Sequence, residues 1–107
     1  MAVAELFKAL GDPTRLEMVK RLSSGSSYTI SSVSRELGIT RQGARKHLQV
    51  LVSAHLVTLQ PKGRDVLVQL DPVSLGVAKT FITELEQRWD RRLEALRDFV
   101  EGANVGE

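Results

Sequence analysis

The stretch "TRQGARKHLQVL", Thr40 to Leu51, separates its side chains into two kinds on a helical wheel. At about 100° per residue, its cations and glutamines share an arc of about 140°; they are Arg41, Gln42, Arg45, Lys46 and Gln49. The apolar side chains of Ala44, Leu48 and Leu51 share the opposite arc. A solvated helix face usually mixes signs, whereas this one carries only cations and amides. The pattern therefore predicts a helix with one buried side and one side suited to an anionic partner.

The residues before this helix predict a helix-turn-helix. A preceding segment keeps Ile30, Val33 and Leu37 at helical spacing and starts near residue 29 or 31. Gly38 can end that helix in the left-handed conformation, and Thr40 can cap the next one, which reaches about residue 54. Two helices joined through such a short glycine-containing turn are the elements of a helix-turn-helix.

Two more helices are expected upstream and a hairpin downstream. The first helix covers about residues 2–10, with Val3, Leu6, Phe7 and Leu10 on one stripe. Asp12 and Pro13 open the second, which is expected to bury Leu16, Val19 and Leu22. Alternating residues on both sides of Pro61-Lys62-Gly63 predict a β-hairpin with a cationic tip.

The last helix is predicted to be long, from about Val73 to Glu101, after a second Asp-Pro opening at residues 71–72. An apolar stripe runs along it for over six turns: Ala78, Phe81, Ile82, Leu85, Trp89, Leu93, Leu96 and Val100. Such a stripe needs a partner, and a second copy of the chain would supply one. The predicted fold is mainly α with a small β-hairpin, a winged helix-turn-helix over residues 1–101, followed by a flexible tail at 102–107.

Composition narrows the function classes. The chain has 107 residues, 42% apolar and 26% charged, which fits one globular domain. It contains no cysteine, which removes disulfides and thiolate chemistry. No apolar run is long enough to cross a membrane, and Glu5 within the first apolar stretch argues against a signal peptide, so a cytoplasmic location is expected.

Charge is unevenly distributed along the chain. Residues 40–64 hold five of the 15 basic residues and none of the 13 acidic ones, which leaves the remainder with a net charge of −3. A basic segment within a mildly acidic protein is typical of a confined face that binds a polyanion.

The sequence resembles the ArsR/SmtB family of bacterial dimeric transcriptional regulators over roughly residues 6–99. Three segments carry the resemblance: "ALGDPTRLEMVKRL", "HLQVLVSAHLV" and "KGRDVLVQL". The resemblance implies a DNA-binding repressor at the bacterial nucleoid, with the fourth helix in the major groove and the hairpin near the backbone. It also implies a homodimer joined through the first and last helices, for which the candidate interface residues are Val3, Leu6, Phe7, Phe81, Leu85, Trp89 and Leu93.

The metal-sensing part of the family description does not fit this chain. Metal sensors of the family often carry cysteines at the start of the third helix, where this chain has "SYTISSV". Others use histidines and carboxylates in the last helix, and residues 73–101 contain no histidine. No metal or other cofactor is therefore expected, and the sequence identifies no inducer.

The candidate DNA-binding residues divide by chemistry. Arginine can bond guanine and glutamine can bond adenine through two hydrogen bonds each, which favours Gln42 and Arg45 for base contacts. Arg41 and Lys46 suit either bases or phosphates. Three positions complete the set: Gln49 on the same face, and Lys62 and Arg64 on the wing. The two wing residues are expected to contact phosphate or the minor groove. Pairing of Arg64 with Asp65 or an acidic neighbour is the alternative.

Several residues admit a structural interpretation as well as a functional one. Thr40 can cap its helix or touch a phosphate. Gly43 can allow close approach to DNA or to the preceding helix, or be a tolerated cost of about 1 kcal/mol. His47 is interpreted as a structural hydrogen-bonded residue and His55 as a solvated or capping one. Trp89 and Phe81 are assigned to an apolar core in preference to a ligand pocket in the dimer.

Two function classes follow. The first is a dimeric, sequence-specific DNA-binding repressor of a palindromic operator. The second is a protein-interaction module on the same winged fold, because folds of this kind also bind proteins. An enzyme is not expected, since the sequence has no nucleophile elbow, HExxH motif or phosphate loop.

Overall fold

The computed structural model describes residues 3–105, excluding the side chains of 103–105. Within that part the chain forms five helices and a three-stranded sheet. The elements in chain order are α1 (Val3–Leu10), α2 (Pro13–Leu22), β1 (Tyr28–Thr29), α3 (Ile30–Leu37), α4 (Arg41–Ser53), β2 (Val57–Lys62), β3 (Asp65–Leu70) and α5 (Pro72–Val105). The predicted fold class, mainly α with a small antiparallel wing, is confirmed.

The start of α2 follows from its sequence. The Asp12 carboxylate accepts hydrogen bonds from the backbone N–H groups of Thr14 at 2.9 Å and Arg15 at 3.1 Å. These bonds, that of Arg15 first, hold the pKa of Asp12 below its usual range. Pro13 occupies the first helical position, where no backbone donor is needed. The predicted opening is confirmed.

The helix-turn-helix is built by local hydrogen bonds. Thr29 and Ser32 cap α3 reciprocally, each side chain accepting from the other's backbone N–H. Gly38 ends α3 with φ of 67°, and the Thr40 hydroxyl then caps α4 by accepting from the Gly43 N–H at 3.0 Å. The chain therefore turns from α3 into α4 in three residues, as predicted.

The sheet differs from the predicted hairpin in two ways. The order is β1-β3-β2, so a two-residue strand at Tyr28 and Thr29 pairs with β3, and the sequence analysis missed it. The turn lies at residues 63–64, because Pro61 and Lys62 belong to β2 and pair with β3. β2 is an edge strand, which explains why it tolerates a proline that lacks a backbone donor.

The core lies among α1 to α4 and the sheet, and its buried members include Leu6, Met18, Ile30, Val33, Ala44, Leu48, Leu51, Leu56, Val57 and Val68. The expectation for α2 was wrong in one residue: Leu16 is 55% exposed, and Met18 is fully buried. Val19 and Leu22 are buried as predicted. The buried side of α2 therefore includes Met18 and not Leu16, because the helix packs against both α1 and α4.

Helix α5 extends far from this core. At the start of α5, the Asp71 carboxylate accepts from the backbone N–H of Val73 at 3.1 Å, as expected of the Asp-Pro opening.

Most of α5 lies outside the core. Beyond Ala78 every residue up to Gly102 is exposed, and the longest dimension of the molecule is 78 Å. The predicted flexible tail, residues 102–107, overlaps this helix, whose backbone is helical to Val105; Gly106 and Glu107 lie outside the described residues.

None of the helices within residues 3–105, including the 34-residue α5, qualifies as a candidate membrane span.

The end of α4 stores a small amount of backbone strain that a substitution can release. Among the described residues, His55 is the one non-glycine residue with a positive φ, at 58°. Its N–H donates to the Val52 carbonyl and the N–H of Leu56 donates to the Leu51 carbonyl, each at 2.9 Å, as in a Schellman motif. This places His55 where glycine is preferred, which agrees with its interpretation as a capping residue.

Replacing His55 by glycine is expected to stabilise the protomer. A non-glycine residue in the left-handed conformation costs about 1–2 kcal/mol, which the substitution removes. Glycine also has more conformational freedom in the unfolded chain, and this offsets about 0.5–1 kcal/mol of the stabilisation. The net increase in the free energy of unfolding is about 0.5–1 kcal/mol. Urea denaturation at a fixed protein concentration measures it. His55→Ala is the control, because it removes the ring but keeps the β-carbon, and an equal gain in that variant contradicts the explanation.

Candidate nucleic-acid interface

Helix α4 presents the predicted face to solvent. Gln42, Arg45, Lys46 and Gln49 are exposed, while the opposite side, made by Ala44, Leu48 and Leu51, is 0% exposed and belongs to the core. Burial of that apolar side fixes the rotation of the helix about its axis. The cations and amides therefore point into solvent, because the apolar residues on the other side of the helix are buried in the core.

The exposed cations at the centre of this face have no internal partner. Among the described residues, the side chains of Arg45 and Lys46 make no hydrogen bond or ion pair with another residue of the chain. Gln42 and Gln49 likewise bond nothing within that part. Their donors and acceptors are available to a ligand without the loss of an internal contact.

Arg41, at the first position of α4, behaves differently. Its Nη1 donates to the Ser31 hydroxyl on α3 at 3.0 Å, and its Nη2 donates to the Asp65 carboxylate on β3 at 3.2 Å. The Ser31 hydroxyl and the backbone N–H of Val66 hold the pKa of Asp65 below its usual range, with Arg41 adding to the effect. The alternative expectation that Arg64 pairs with Asp65 or an acidic neighbour was wrong, because Arg64 forms no ion pair among the described residues, and the Asp65 carboxylate bonds Arg41 instead.

The wing places two more cations beside α4. Lys62 ends β2 and Arg64 lies in the two-residue turn before β3, and both side chains are exposed. Gly63 has φ of 62° at the first central position, where type II′ hairpin turns favour glycine. Within the described residues, neither Lys62 nor Arg64 has an internal partner.

Gly43 has a third explanation that the sequence did not suggest. A β-carbon at this position would lie 3.1 Å from the Thr40 hydroxyl oxygen, the atom that caps α4. That distance is tighter than ordinary van der Waals contact, so a β-carbon here would displace the Thr40 hydroxyl by a few tenths of an ångström. Gly43 therefore leaves the capping bond of Thr40 uncrowded, and the structure confirms the capping role of Thr40.

Two polar side chains, Arg15 of α2 and His47 of α4, connect α4 to α2 and α1. The Arg15 Nε donates to the Ala9 carbonyl at 2.7 Å, and its Nη1 lies 3.2 Å from Nδ1 of His47. Because arginine can only donate, Nδ1 of His47 accepts this bond. The interpretation of His47 as a structural, hydrogen-bonded residue is confirmed. Sequence analysis missed Arg15, since its partners are six and 32 residues away.

The apolar residues of α1 and α5 form a separate surface. The rings of Phe7 and Phe81 pack with their centroids 5.7 Å apart. Further along α5 the side chains of Leu85, Trp89 and Leu93 are 48%, 58% and 46% exposed. Trp89 therefore lies outside the core of the protomer.

One member of the predicted dimer interface is wrong. Leu6 is 0% exposed and belongs to the protomer's own core, so it has no surface to offer a second chain. The remaining members, Val3, Phe7, Phe81, Leu85, Trp89 and Leu93, are half-buried or exposed.

The described residues contain no group of three or more His, Cys, Asp or Glu side chains arranged to hold a metal ion.

Comparisons with known proteins agree with this arrangement. A family model described as a helix-turn-helix domain matches residues 10–60. The HTH-type transcriptional regulator Rv2034 of Mycobacterium tuberculosis is 33% identical over 95 residues, covering 89% of this chain and 85% of that protein. An ArsR-like transcriptional regulator from Rhodococcus sp. RHA1 has a TM-score of 0.83 and 30% identity, over 94% of this chain and 91% of that one.

A third comparison bears on the fold alone. A homodimeric winged helix-turn-helix DNA-binding domain from Mycobacterium bovis has a TM-score of 0.64 at 20% identity, over 79% of this chain and 78% of that one.

The fold and the exposed cationic side of α4 define a winged helix-turn-helix protein that binds DNA. The chain belongs to the ArsR family of transcriptional regulators, as the resemblance in its sequence predicted. It is thus a DNA-binding regulator of transcription, and its relatives belong to a class that acts by binding and not by catalysis.

Proposed function

We propose that the protein is a homodimeric repressor that binds a palindromic operator through α4 and the wing of each protomer. One observation carries the proposal: the exposed side of α4 holds cations and amides whose side chains, except that of Arg41, have no internal partner, while its opposite side is buried in the core. DNA carries one negative charge per about 1.7 Å of duplex axis, and cations gain affinity by releasing its counterions. Such a regulator would act at the nucleoid in the bacterial cytoplasm.

The residues of each protomer take different roles in this proposal. Gln42 and Arg45 contact base edges, because their side chains match the paired acceptors and donors of adenine and guanine. Lys46 and Gln49 lie further along the same side and suit phosphates at the groove edge. Arg41 contacts a base or a phosphate once it leaves Asp65.

The wing and the helix start complete the contacts. Lys62 and Arg64 reach the backbone or minor groove next to the major groove that α4 occupies. Thr40 caps α4 with its hydroxyl, and a phosphate can accept from the same hydroxyl because the side chain is exposed.

The second copy is proposed to pack on α1 and α5. Beyond the Phe7–Phe81 pair, the apolar side chains of Leu85, Trp89 and Leu93 on α5 stay about half exposed in the protomer. The same stripe of a second chain can cover them, which forms a two-fold interface. This interface joins two DNA-binding heads, each made of the α4 and wing of one protomer. Paired half-sites about one DNA turn apart match such a dimer.

The test measures affinity against salt concentration. The two duplexes are the tightest binder selected from a random-sequence library and a shuffled duplex of the same composition. If each protomer contacts three phosphates, the dimer contacts about six, and log K should fall with log salt at a slope of about −5. The selected duplex should also bind at least about 1,000-fold more tightly than the shuffled one. A flat salt response, or equal affinity for both duplexes, contradicts the proposal.

A further inference from the structure

The exposed apolar side chains of α5 are spaced symmetrically about Trp89, which is 58% exposed. In either direction the next apolar positions follow after four residues and then three. These four side chains are each 45% to 51% exposed: Ile82, Leu85, Leu93 and Leu96. At about 100° per residue, all of them lie within about 40° of the direction of Trp89. Two copies of the stripe therefore match position for position when they run antiparallel with a two-fold axis at Trp89.

Other antiparallel registers bring charges into the stripe. A shift of one copy by four residues pairs Ile82 with Arg92, and a shift in the other direction pairs Leu96 with Glu86. Each of these pairings covers a charged group with an apolar side chain, which costs free energy. The register centred on Trp89 pairs apolar residues at all five positions.

A parallel pair does not fit, because the body of each protomer, defined as α1 to α4 and the sheet, covers this side of α5 at its start. Ser74 is 0% and Ala78 is 8% exposed, and Ala78 belongs to the core. On the helical wheel Ala78 lies about 20° from the direction of Trp89. Two parallel copies in register would bring both bodies into the same space, whereas antiparallel copies place them at opposite ends of the helix pair.

Phe99, near the end of α5, lies where it can reach the body of the second copy. It is 75% exposed and lies about 80° from the direction of Trp89, on the same flank of the helix as Phe81. An antiparallel two-fold pair brings equal flanks together. Phe81 lies eight residues before Trp89 and Phe99 lies ten after it, so the two differ by about 3 Å along the axis of the pair.

The surface that Phe99 reaches is apolar. Phe81 packs on Phe7 of α1, with ring centroids 5.7 Å apart. Beside this pair a groove between α1 and α5 is lined by Val3 and Val77. The ring of Phe99 from a second copy therefore meets aromatic and aliphatic side chains there and leaves water.

We propose that two copies join their α5 helices antiparallel about Trp89, and that Phe99 of each copy packs beside Phe7 and Phe81 of the other. Each aromatic cluster then contains residues of both protomers and is incomplete in a single chain. This inference rests on the proposed dimer. It adds the direction and register of the helix pair, and an anchor, Phe99, that the predicted interface did not include.

The first test uses introduced cysteines, because the chain has none of its own. The double variant Leu85→Cys, Leu93→Cys is expected to form a covalent dimer on mild oxidation, since each cysteine faces the other position of the second copy. Neither single variant should do so. Equal positions then lie eight residues apart along the axis, about 12 Å, and a disulfide needs Cα atoms within about 7 Å. The two cysteines of one helix are equally far apart and cannot bond each other.

Non-reducing gel electrophoresis should show at least about 10-fold more covalent dimer in the double variant than in either single one. The double variant Ile82→Cys, Leu96→Cys repeats the comparison further from Trp89 and serves if the first pair of changes weakens association. Covalent dimers of the single variants would show a parallel pair. Absence of covalent dimer in both double variants, while sedimentation equilibrium finds dimers, would show another register.

Either of those results overturns the inference and leaves the proposed dimer intact. If the unaltered protein sediments as a monomer, the proposed function itself fails.

The second test is Phe99→Ala. It is expected to weaken the dimer at least about 30-fold, because two rings per dimer lose their buried contacts. The fold of the protomer should be unchanged, since Phe99 is 75% exposed within it. Leu16→Ala, which shortens an exposed apolar side chain of α2, is the control and should leave association unchanged. Equal association constants for Phe99→Ala and the unaltered protein contradict the proposed packing of Phe99.

Discussion

The double variant Arg45→Ala, Lys46→Ala is expected to lose operator binding while keeping its fold and its oligomeric state. Each two-bond base contact is worth about 1–3 kcal/mol, and a dimer makes the Arg45 contact twice, which gives about 2–6 kcal/mol. At about 1.4 kcal/mol per tenfold change, the loss is at least about 30-fold from Arg45 alone. Lys46 adds the loss of about two phosphate contacts, which should make the salt slope shallower by about 2.

Stability should hardly change in this variant, because both side chains are exposed and neither makes a hydrogen bond or ion pair with another described residue. Fluorescence anisotropy on the selected duplex measures the affinity, and thermal unfolding checks the fold. The matched control is Lys20→Ala, Arg91→Ala, which removes the same two charges from exposed positions on α2 and α5. Intact operator binding by the Arg45, Lys46 variant argues for the alternative function, a module that binds proteins.

The features that sequence analysis predicted correctly are local. The Asp12 and Thr40 caps bond backbone groups two or three residues away, and Gly38 adopts a conformation that few other residues adopt. The two sides of α4 follow from spacing alone. Such features depend on a few neighbouring residues, and no knowledge of the rest of the chain is needed to place them.

The errors concern contacts between distant parts of the chain. Two residues, Tyr28 and Thr29, are too few to show any period, and their pairing with β3 crosses almost 40 positions. Pro61 is typical of turns, and only its place on an edge strand reveals why it can stay within β2.

Apolar periodicity identifies a stripe but not what covers it. Leu16 and Met18 both fit an apolar side of α2, and packing against neighbouring helices decided for Met18. Leu6 and Phe7 are adjacent on α1, yet the first is fully buried and the second packs on Phe81 at the surface. The same limit applies to the candidate DNA-binding residues. On a helical wheel Arg41 resembles the other cations of α4, because its partners Ser31 and Asp65 lie ten and 24 residues away in the chain.

The double variant Trp89→Glu, Leu93→Glu is expected to be a monomer that no longer binds the palindrome tightly. Both side chains lie on the exposed apolar stripe of α5, at 58% and 46% exposure. Covering this stripe with a second copy would bury four added carboxylates per dimer without partners, which opposes association. Linking two binding heads commonly raises affinity by about 10²–10⁴-fold, so the loss on the full palindrome should reach at least about 100-fold.

A half-site duplex distinguishes lost dimerisation from lost folding. The monomer should bind it about as well as one protomer of the unaltered protein does, because Trp89 and Leu93 are exposed on α5 and lie outside the protomer's core. Sedimentation equilibrium gives the mass of each variant. The control, Gln87→Glu, Arg91→Glu, adds carboxylates to the opposite side of the same helix and should remain dimeric. A monomer that still binds the palindrome with full affinity would show that the two heads need no rigid link, and the proposed role of α5 would be wrong.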